Sequence, residues 1–440
     1  MLTVFTRAFK TPDLRRKLLF TLGIIVLFRL GSHVPTPNVN YSAVQACIAG
    51  ARQDGGNNFL GMANLFSGGA LLQLSIFALG IMPYITASII VQLLTVVIPR
   101  FEALKKEGQT GQAKMTQYTR YLTIALAVLQ SATFITFARN PAALFNNADC
   151  GPILYRESMF SIVLMVLTMT AGTGLIMWLG ELVTDKGVGN GMSLLIFTSI
   201  TATFPSSLWA IQQRDGRWDL FLLVIAIGFL IIAAVVFVEQ SQRRVPVQYA
   251  KKMVGRQMYG GTSTYIPIKV NMANVIPIIF ASSMLALPQM LAQFQSDPAG
   301  NNPAWVDWIN TYLVRGDHPI YMAVFTILIL FFTFFYVSIT FNPTEVADNM
   351  KKYGGFIPGI RAGRPTAEYL QYVLTRITVP GAIYLALISL IPLIAFVWIG
   401  ANRDFPFGGA SILIMVGVGL ETVKQIESQL QQRHYEGFLR

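Results

Sequence analysis

The chain has 440 residues, of which 53% are apolar and only 12% are charged. Soluble domains carry about twice that fraction of charged residues, so the composition excludes an ordinary soluble protein. The net charge of +12 would suit a nucleic-acid partner, but the positions of the charges, described below, argue against one. Two cysteines, Cys47 and Cys150, are too few for a disulfide framework or a cysteine-rich metal site.

Ten apolar runs are long enough to cross a hydrocarbon core about 30 Å thick. They predict an all-α polytopic membrane protein with ten transmembrane helices. The first run reaches full spanning length after a basic start and has no small-residue cleavage site, so we expect no cleavable signal peptide. The predicted spans cover residues 18–34, 72–98, 118–138, 159–183, 190–210, 220–239, 271–293, 319–341, 373–398 and 408–427.

The approach to the second predicted span is broken. Residues 64–98 begin with a short apolar turn, break at Gly68-Gly69 and continue as an apolar helix that contains Gly80 and Pro83. At membrane depth, irregular backbone is tolerated only where neighbouring protein or a water-filled cavity covers it. The sequence therefore predicts a helical bundle that contains a cavity, with this stretch along the cavity wall.

The distribution of Lys and Arg predicts the orientation of the chain. With the N-terminus in the cytosol, 25 of the 33 Lys and Arg residues fall in cytosolic segments, seven fall in outward connections, and Arg29 lies in the first span. Positively charged connections remain on the cytosolic side of a membrane. We therefore expect both termini to be cytosolic.

The two longest cytosolic connections, residues 240–270 and 342–372, are basic and rich in Gly, Pro and aromatic residues. Alternating Val, Tyr and Ile in the first connection predict a small β-hairpin. Both are longer than the topology requires, and long loops in compact folds are usually functional. We expect a docking surface for a partner there; the alternative is an ordinary basic loop.

The sequence motifs of several common enzyme classes are missing. The chain contains no Walker A sequence, no HExxH and no GxSxG. We therefore expect no enzymatic activity, no cofactor and no metal site. The stretch from Gly187 to Gly191 resembles a phosphate loop only weakly because no strand precedes it, and tight helix packing or a turn is the better interpretation.

Ionisable residues in the predicted spans lie near the span ends: Arg29, Glu181, Glu239 and Glu421. Ion-coupled transporters usually need an ionisable residue near the membrane midplane, which argues against a small-solute symporter. An inverted-repeat secondary transporter that binds its ion through carbonyls and hydroxyls remains the alternative function.

Several long motifs resemble the SecY family, the central channel subunits of the bacterial protein translocase, along essentially the whole chain. In chain order they are NLFSGGA, SIFALGIMPYITASIIVQLLTVV, GVGNGMSLLIF, YIPIKVNMANVIPIIFASS and FNPTEVADNMKKYGGFIPGIR. The resemblance implies two pseudo-symmetric, inverted-repeat halves, residues 1–210 and 211–440, around an hourglass pore. It also implies a protein-conducting channel of the bacterial cytoplasmic membrane, which passes secretory polypeptides across and releases membrane-protein helices laterally into lipid.

The resemblance also assigns pore residues by motif position. A ring of six apolar side chains would form the constriction, with Met192 in place of the more usual branched residue: Ile81, Ile85, Met192, Ile196, Ile279 and Ile414. By spacing alone, Ile81 and Ile85 could equally be core or lipid-facing residues. An apolar ring hydrates poorly, so it can resist ion flow and still deform around an extended chain. A short plug helix at about residues 62–70 would block the outer funnel at rest, with the motif residues Asn64, Leu65, Phe66, Ser67, Gly68 and Gly69.

The lateral gate of such a channel would lie where the second and third spans face the seventh and eighth. Four polar residues occur on these spans: Thr86, Gln92, Gln130 and Asn274. Weak polar pairs across the interface would hold the gate closed until a signal sequence displaces them. Ordinary helix packing is the alternative role for these residues.

In the family the two long basic loops dock the SecA motor ATPase or the ribosome. Arg361 matches the arginine on which SecA-dependent export relies, and Arg256 matches another family arginine, with Gln257 where a second arginine is common. The expected partners are a SecE-type subunit, a SecG-type subunit, unfolded polypeptides with signal sequences, and membrane lipids. Cys47 and Cys150 both fall in outward connections, where oxidation could join them; a disulfide between them is a hypothesis.

Overall fold

A computed structural model provides the three-dimensional structure of the chain. The residues that it describes are 9–46, 67–71, 73–139, 152–215, 218–249, 252–254, 257–259, 263–295, 303–314, 318–399 and 409–436.

Helices make up most of this structure, as the sequence predicts. In chain order they are α1 (Pro12–His33), α2 (Met82–Val97), α3 (Pro99–Lys106), α4 (Gln109–Arg139), α5 (Met159–Lys186), α6 (Gly191–Asp215), α7 (Trp218–Gln240), α8 (Ile276–Gln295), α9 (Ala304–Ile309), α10 (Pro319–Thr340), α11 (Pro343–Lys352), α12 (Arg364–Ile399) and α13 (Gly409–Glu436). One π-helical turn, Asn310–Val314, follows α9.

Each of the ten predicted spans overlaps one long helix of the structure. By length and composition, three described helices (α5, α10 and α12) are each sufficient to cross a membrane, and the pair α2–α3 would be a fourth although it is bent by 101°. Apolar parts of α6, α7 and α8 are shorter, at Gly191–Pro205, Ile225–Gln240 and Ile276–Leu285. The ten-span arrangement is therefore consistent with the structure, although several spans do not meet a strict length test.

The predicted start of the second span at residue 72 is wrong by ten residues. Helix α2 begins only at Met82, and described residues before it form turns. Four residues there have positive φ angles, Gly68, Gly69, Leu74 and Gly80, a conformation that cannot propagate a right-handed helix. Pro99 follows the predicted end of the span at residue 98. It begins α3, which is bent by 101° from α2.

The predicted hairpin in the first cytosolic connection is confirmed and is part of a larger sheet. Strand β1 (Gln242–Tyr249) pairs antiparallel with β4 (Ser263–Lys269), and β2 (Lys252–Val254) pairs with β3 (Gln257–Tyr259). The other edge of β1 pairs with β5 (Gly355–Phe356). Because β5 belongs to the second long connection, this sheet joins the two basic loops into one unit.

The apolar core is divided into clusters. The largest combines the buried side of the sheet with α7, α8, α10 and α12. A second lies between the turns of residues 71–79, α4 and α5. A third contains residues of α1, α5 and α6 together with Ile414 of α13, and it is one of the places where the early and late parts of the chain meet.

Candidate functional site

The turns that precede α2 are held against α1 by backbone and side-chain hydrogen bonds. Arg29 Nη1 donates to the carbonyl of Gly68 at 3.0 Å. The Thr36 amide and hydroxyl both donate to the carbonyl of Leu74, at 3.0 and 2.6 Å. Phe77 stacks on Phe28 of α1 with ring centroids 5.9 Å apart. Most of the irregular backbone is thus covered by protein, as membrane burial requires.

Only the end of the predicted plug is described. Asn64, Leu65 and Phe66 lie outside the described residues. Ser67 is buried, and its hydroxyl accepts a hydrogen bond from the Leu71 amide at 3.1 Å. A side chain at Gly68 would approach Arg29 Nη1 to 2.8 Å and the Ser199 Cα to 3.1 Å, so the glycine permits close contact with both α1 and α6.

The six predicted ring residues lie in one continuous apolar region. Four of them share a buried cluster: Ile81, Met192, Ile196 and Ile414. Ile279 belongs to the cluster formed around α8, and Ile85 packs against both clusters. Apart from Ile85, each ring residue is at most 9% exposed. This apolar region is therefore formed jointly by residues from the start of α2 and from α6, α8 and α13.

Glycines bring α6 close enough to α5 to place Met192 in this region. A side chain at Gly191 would collide with the Gly180 carbonyl of α5, and one at Gly180 would meet the Met192 sulfur at 2.5 Å. Gly187 is similarly confined, since a side chain there would lie 2.6 Å from the Val183 carbonyl. The interpretation of the Gly187–Gly191 stretch as tight helix packing is confirmed.

A cavity of about 340 Å³ lies beside the apolar region. Ile414 is in its wall, together with Val275 and Ile276 at the start of α8. Four charged residues also line it, of which Glu239 and Lys269 lie at the ends of α7 and β4 and the other two lie within α13: Glu239, Lys269, Glu421 and Lys424. The cavity therefore has an apolar part next to a predicted ring residue and a polar part towards the basic loops.

The four predicted gate residues form no polar pair across the helix interface in the described part of the chain. The Thr86 hydroxyl donates to the Met82 carbonyl of its own helix at 3.0 Å. Gln92 is exposed and Gln130 is half-buried, and neither side chain has a hydrogen-bond partner among the described residues. Asn274 has a φ of 51° and lines the cavity. Its backbone carbonyl accepts from Asn271 Nδ2 at 3.3 Å.

The contact between α2 and the late part of the chain is instead apolar. Ile85, Ile89 and Leu93 follow one another at helical spacing, and all three pack against the cluster around α8, α10 and α12. Sequence reasoning selected Ile85 for the ring and missed the other two. The three residues do form an i, i+4, i+8 repeat along one face of the helix. Because most residues of α2 are apolar, the repeat does not distinguish this face from the others.

The predicted docking residues can be located only in part. Arg361 is exposed in the connection between β5 and α12, where its backbone carbonyl accepts from the Thr366 hydroxyl at 2.9 Å. Arg256 lies outside the described residues, as do Cys47 and Cys150. The structure therefore leaves the docking role of Arg256 and the hypothesis of a disulfide as predictions.

Two of the charges predicted near span ends are closely partnered. Glu181 of α5 accepts two hydrogen bonds from Arg120 of α4, at 2.8 Å from Nε and 2.7 Å from Nη2. Glu239 of α7 is 8% exposed and accepts from Asn271 Nδ2 at 2.6 Å. No group of three or more His, Cys, Asp or Glu side chains that could hold a metal ion occurs in the described residues.

Comparison with solved structures gives the same fold at low sequence identity. The chain is similar to a protein-conducting channel with a TM-score of 0.59 and 18% identity, covering 94% of this chain and 91% of that one. A SecY protein whose plug domain stabilises the closed state of its translocation channel gives a TM-score of 0.61 at 18% identity, with the same coverage. The Sec61 channel of a canine ribosome–channel complex gives 0.58 at 18% identity, again with the same coverage.

Comparison of sequences gives much closer relatives. The chain is 65% identical over 444 residues to the protein translocase subunit SecY of Streptomyces galbus, with all of both chains covered. It is 56% identical over 446 residues to the subunit of the same name in Mycobacterium bovis, again with full coverage of both. The SecY family model matches residues 75–423. A match of this length and identity leaves one conclusion: the chain belongs to the SecY family.

Proposed function

We propose that this chain is the channel subunit through which unfolded secretory polypeptides cross the bacterial cytoplasmic membrane. The observation that carries the proposal is the convergence of the six predicted ring residues on one apolar region. This region lies next to a cavity on the side of the basic loops. Such a constriction excludes ions because it hydrates poorly, and it makes no sequence-specific hydrogen bonds to a passing chain.

The Gly68-Gly69 segment is proposed to act as the inner end of a plug. In a SecY protein of the same fold, the plug domain stabilises the closed state of the translocation channel and maintains a membrane seal. The hydrogen bond from Arg29 to the Gly68 carbonyl and the close approach of Gly68 to Ser199 support the same role here. The closed state is the one that this contact favours.

Lateral release of membrane-protein helices is proposed to occur between α2 and α4 on one side and α8 and α10 on the other. The apolar stripe Ile85, Ile89 and Leu93 supports this role, because an apolar signal helix can replace the same contacts. Thr86, Gln92, Gln130 and Asn274 are retained as gate residues that signal sequences would meet during opening. The chain itself is proposed to perform no covalent chemistry.

Partners are proposed to supply the energy. Arg361 follows the last residue of β5 by five residues, in the connection that leaves the sheet joining the two basic loops, which supports a docking surface there for a SecA-type motor ATPase or a ribosome. SecE-type and SecG-type subunits are the proposed permanent partners. The test is reconstitution of the channel with motor ATPase and a secretory precursor in vesicles. Protease-protected precursor that depends on ATP is expected, and its absence would contradict the proposal.

The substitution Arg361→Glu tests motor docking separately from the channel function itself. The side chain is exposed, so a change of its charge affects the free energy of unfolding by less than about 1 kcal/mol. Docking can nevertheless depend on one arginine, and we expect motor-driven export to fall at least about tenfold. Arg364→Glu, three residues away on the same surface, is the matched control. Equal export by wild type and Arg361→Glu would exclude Arg361 from the docking surface.

A further inference from the structure

The sheet of the two basic loops is connected to α8 by one short segment, residues 270–275. Strand β4 ends at Lys269, and α8 begins at Ile276. The sheet joins the loops on which the docking surface is proposed, and α8 contributes Ile279 to the predicted ring. A displacement that passes along the chain from the docking surface to α8 therefore passes through this segment.

The connecting segment is packed between the end of α7 and α12. The Val270 amide donates to the Ser241 carbonyl at 3.1 Å, which extends the pairing of β1 with β4 by one step beyond Gln242 and Lys269. On the other side, a side chain at Gly381 of α12 would collide with the Val270 carbonyl. The absence of a side chain at Gly381 therefore lets α12 lie directly against the segment.

Asn271 joins the connecting segment to α7 through a buried hydrogen bond. Asn271 is 2% exposed and Glu239 of α7 is 8% exposed, and Asn271 Nδ2 donates to Glu239 Oε1 at 2.6 Å. The same Nδ2 donates to the carbonyl of Asn274 at 3.3 Å, in the turn just before α8 where Asn274 has a φ of 51°. Hydrogen bonds to a charged acceptor are roughly twice as strong as neutral ones. One side chain thus ties the end of α7 to the turn that precedes α8.

Apolar contacts between the sheet and the helices do not define this position as closely. Val245, Val247 and Ile268 of the sheet belong to the same buried cluster as Ile279. Apolar attraction has no preferred direction, so these side chains can slide over the helices at little cost. A hydrogen bond weakens steeply when its distance or angle changes. The bond of Asn271 to Glu239 therefore resists a shift that the apolar contacts permit.

We infer that Asn271 is a positioning residue that couples the docking surface to the constriction. While Asn271 is bound to Glu239, a partner that moves the sheet also moves the start of α8, because packed and hydrogen-bonded segments transmit a displacement as one unit. Without this bond, residues 270–275 still connect the sheet to α8 but deform when the sheet moves. This role deepens the proposed function and rests on it.

The experiment breaks the hydrogen bond and then restores it with reversed polarity. Asn271→Leu removes both donated hydrogen bonds at a similar volume, and Asn271→Asp places two carboxylates side by side. Combining Asn271→Asp with Glu239→Gln restores one bond, since the new amide at position 239 donates to the new carboxylate at position 271. Glu239→Gln alone keeps a neutral acceptor for Asn271 and should fold normally.

The matched control is Glu181→Gln. The Glu181 carboxylate accepts two hydrogen bonds from Arg120, between α4 and α5. The substitution therefore weakens a charge-assisted contact of the same kind, away from the sheet and from α8. It should lower the thermal unfolding temperature and leave the coupling to the motor unchanged.

Three quantities are measured per folded channel in vesicles that contain the complete translocase and its motor: motor affinity, ATP hydrolysis and precursor export. We expect Asn271→Leu and Asn271→Asp to bind the motor with wild-type affinity and to export at least about fivefold less precursor per ATP hydrolysed. Glu239→Gln should lower this ratio about twofold. The double variant should recover at least about half of the wild-type ratio.

A merely structural role for Asn271 would give a different pattern. It would lower the yield of folded channel and leave the export per ATP unchanged. A wild-type ratio in both single variants at position 271, or a double variant as uncoupled as Asn271→Asp, would overturn the inference. Loss of motor affinity in proportion to export would overturn it as well. Failure of the wild-type channel to export any precursor would instead contradict the proposed function.

Discussion

The early and late parts of the chain meet along two seams that are built differently. The back seam is the packing of α6 and the start of α1 against α13, and it includes the buried cluster of Leu14, Val188 and Ile426. The gate seam lies along the proposed lateral gate, where α2 packs against α8 and where α3, which follows α2, contacts the end of α10. Among the described residues, its contacts are the stripe Ile85, Ile89 and Leu93 and a hydrogen bond from Lys105 Nζ to the Ile339 carbonyl at 3.4 Å.

The difference teaches where such a channel can open. At the back seam, Gly189 has a φ of 87° and lies against Thr422 of α13, so backbone geometry as well as apolar burial defines that contact. At the gate seam, three aliphatic side chains could exchange their contacts for those of another apolar helix at little net cost. We therefore expect the back seam to act as a hinge and the gate seam to separate.

The largest expected effect follows from polar substitution in the ring. Ile279→Asn or Ile85→Asn should lower the cost of wetting the constriction and weaken the apolar contacts of the closed state. A change of about 1–2 kcal/mol shifts the open population roughly fivefold to thirtyfold. Vesicle ion conductance and export of a precursor with a defective signal, both per folded protein, are the measurements.

The buried Ile153, in the connection before α5, provides a matched control for the ring. Ile153→Asn should reduce the yield and stability of the protein without increasing conductance, because this residue belongs to a buried cluster that contains none of the predicted ring residues. If all three variants lose stability and none conducts more ions, Ile85 and Ile279 are core residues and do not line a pore.

A substitution at the back seam should affect stability and leave gating unchanged. Gly189→Ala places a side chain on a left-handed residue, which costs about 1–2 kcal/mol. We expect a lower thermal unfolding temperature with normal resting conductance. Gly174→Ala of α5, where a side chain would meet nothing within 4 Å, is the control and should be close to neutral. Increased conductance in Gly189→Ala would show that the back seam also takes part in opening.

Arg29 connects the Gly68 segment to α1 and belongs to neither seam. Arg29→Met removes the donor to the Gly68 carbonyl and keeps most of the side-chain volume. Loss of a hydrogen bond of this kind should weaken the closed state by about 1 kcal/mol, or about fivefold in resting conductance. Arg156→Met, at an exposed outward position, should have no effect. Unchanged conductance in Arg29→Met would mean that this contact does not contribute to closure.

The smallest expected effect is at the cytosolic end of the gate seam. Lys105→Met removes the hydrogen bond to the carbonyl of Ile339 in the last turn of α10. An exposed interaction at a helix C-terminus contributes about 0.3–1 kcal/mol, so a change of about twofold in gate opening is expected. Cross-linking between cysteines placed across the gate measures it. Lys106→Met is the control, because Lys106 pairs with Glu102 on its own helix at 2.7 Å. Equal effects of the two substitutions would show that Lys105 does not contribute to the gate.

Much of the fold could be predicted from the sequence because lipid imposes simple rules. Each span must satisfy its own backbone hydrogen bonds, so apolar runs such as 159–183 and 319–341 correspond closely to α5 and α10. Val, Tyr and Ile alternation likewise predicted a small hairpin in residues 240–270, where the structure pairs β1 with β4. Motif positions supplied the six ring residues, which the apolar spacing of α2 could not distinguish from ordinary core.

Three features could not be predicted from the sequence because they depend on contacts between distant segments: the start of α2, the pairing of β1 with β5, and the gate contact. The start of α2 at Met82 follows from turns that α1 covers, and apolar composition alone cannot reveal such turns. The pairing of β1 with β5 joins loops separated by about a hundred residues, and two residues are too short to carry a strand pattern. The gate contact through Ile89 and Leu93 appears only when α2 is packed against helices from the late part of the chain. Local sequence determined which segments enter the membrane, whereas their mutual packing determined which surfaces are held by backbone geometry and which are held by exchangeable apolar contacts.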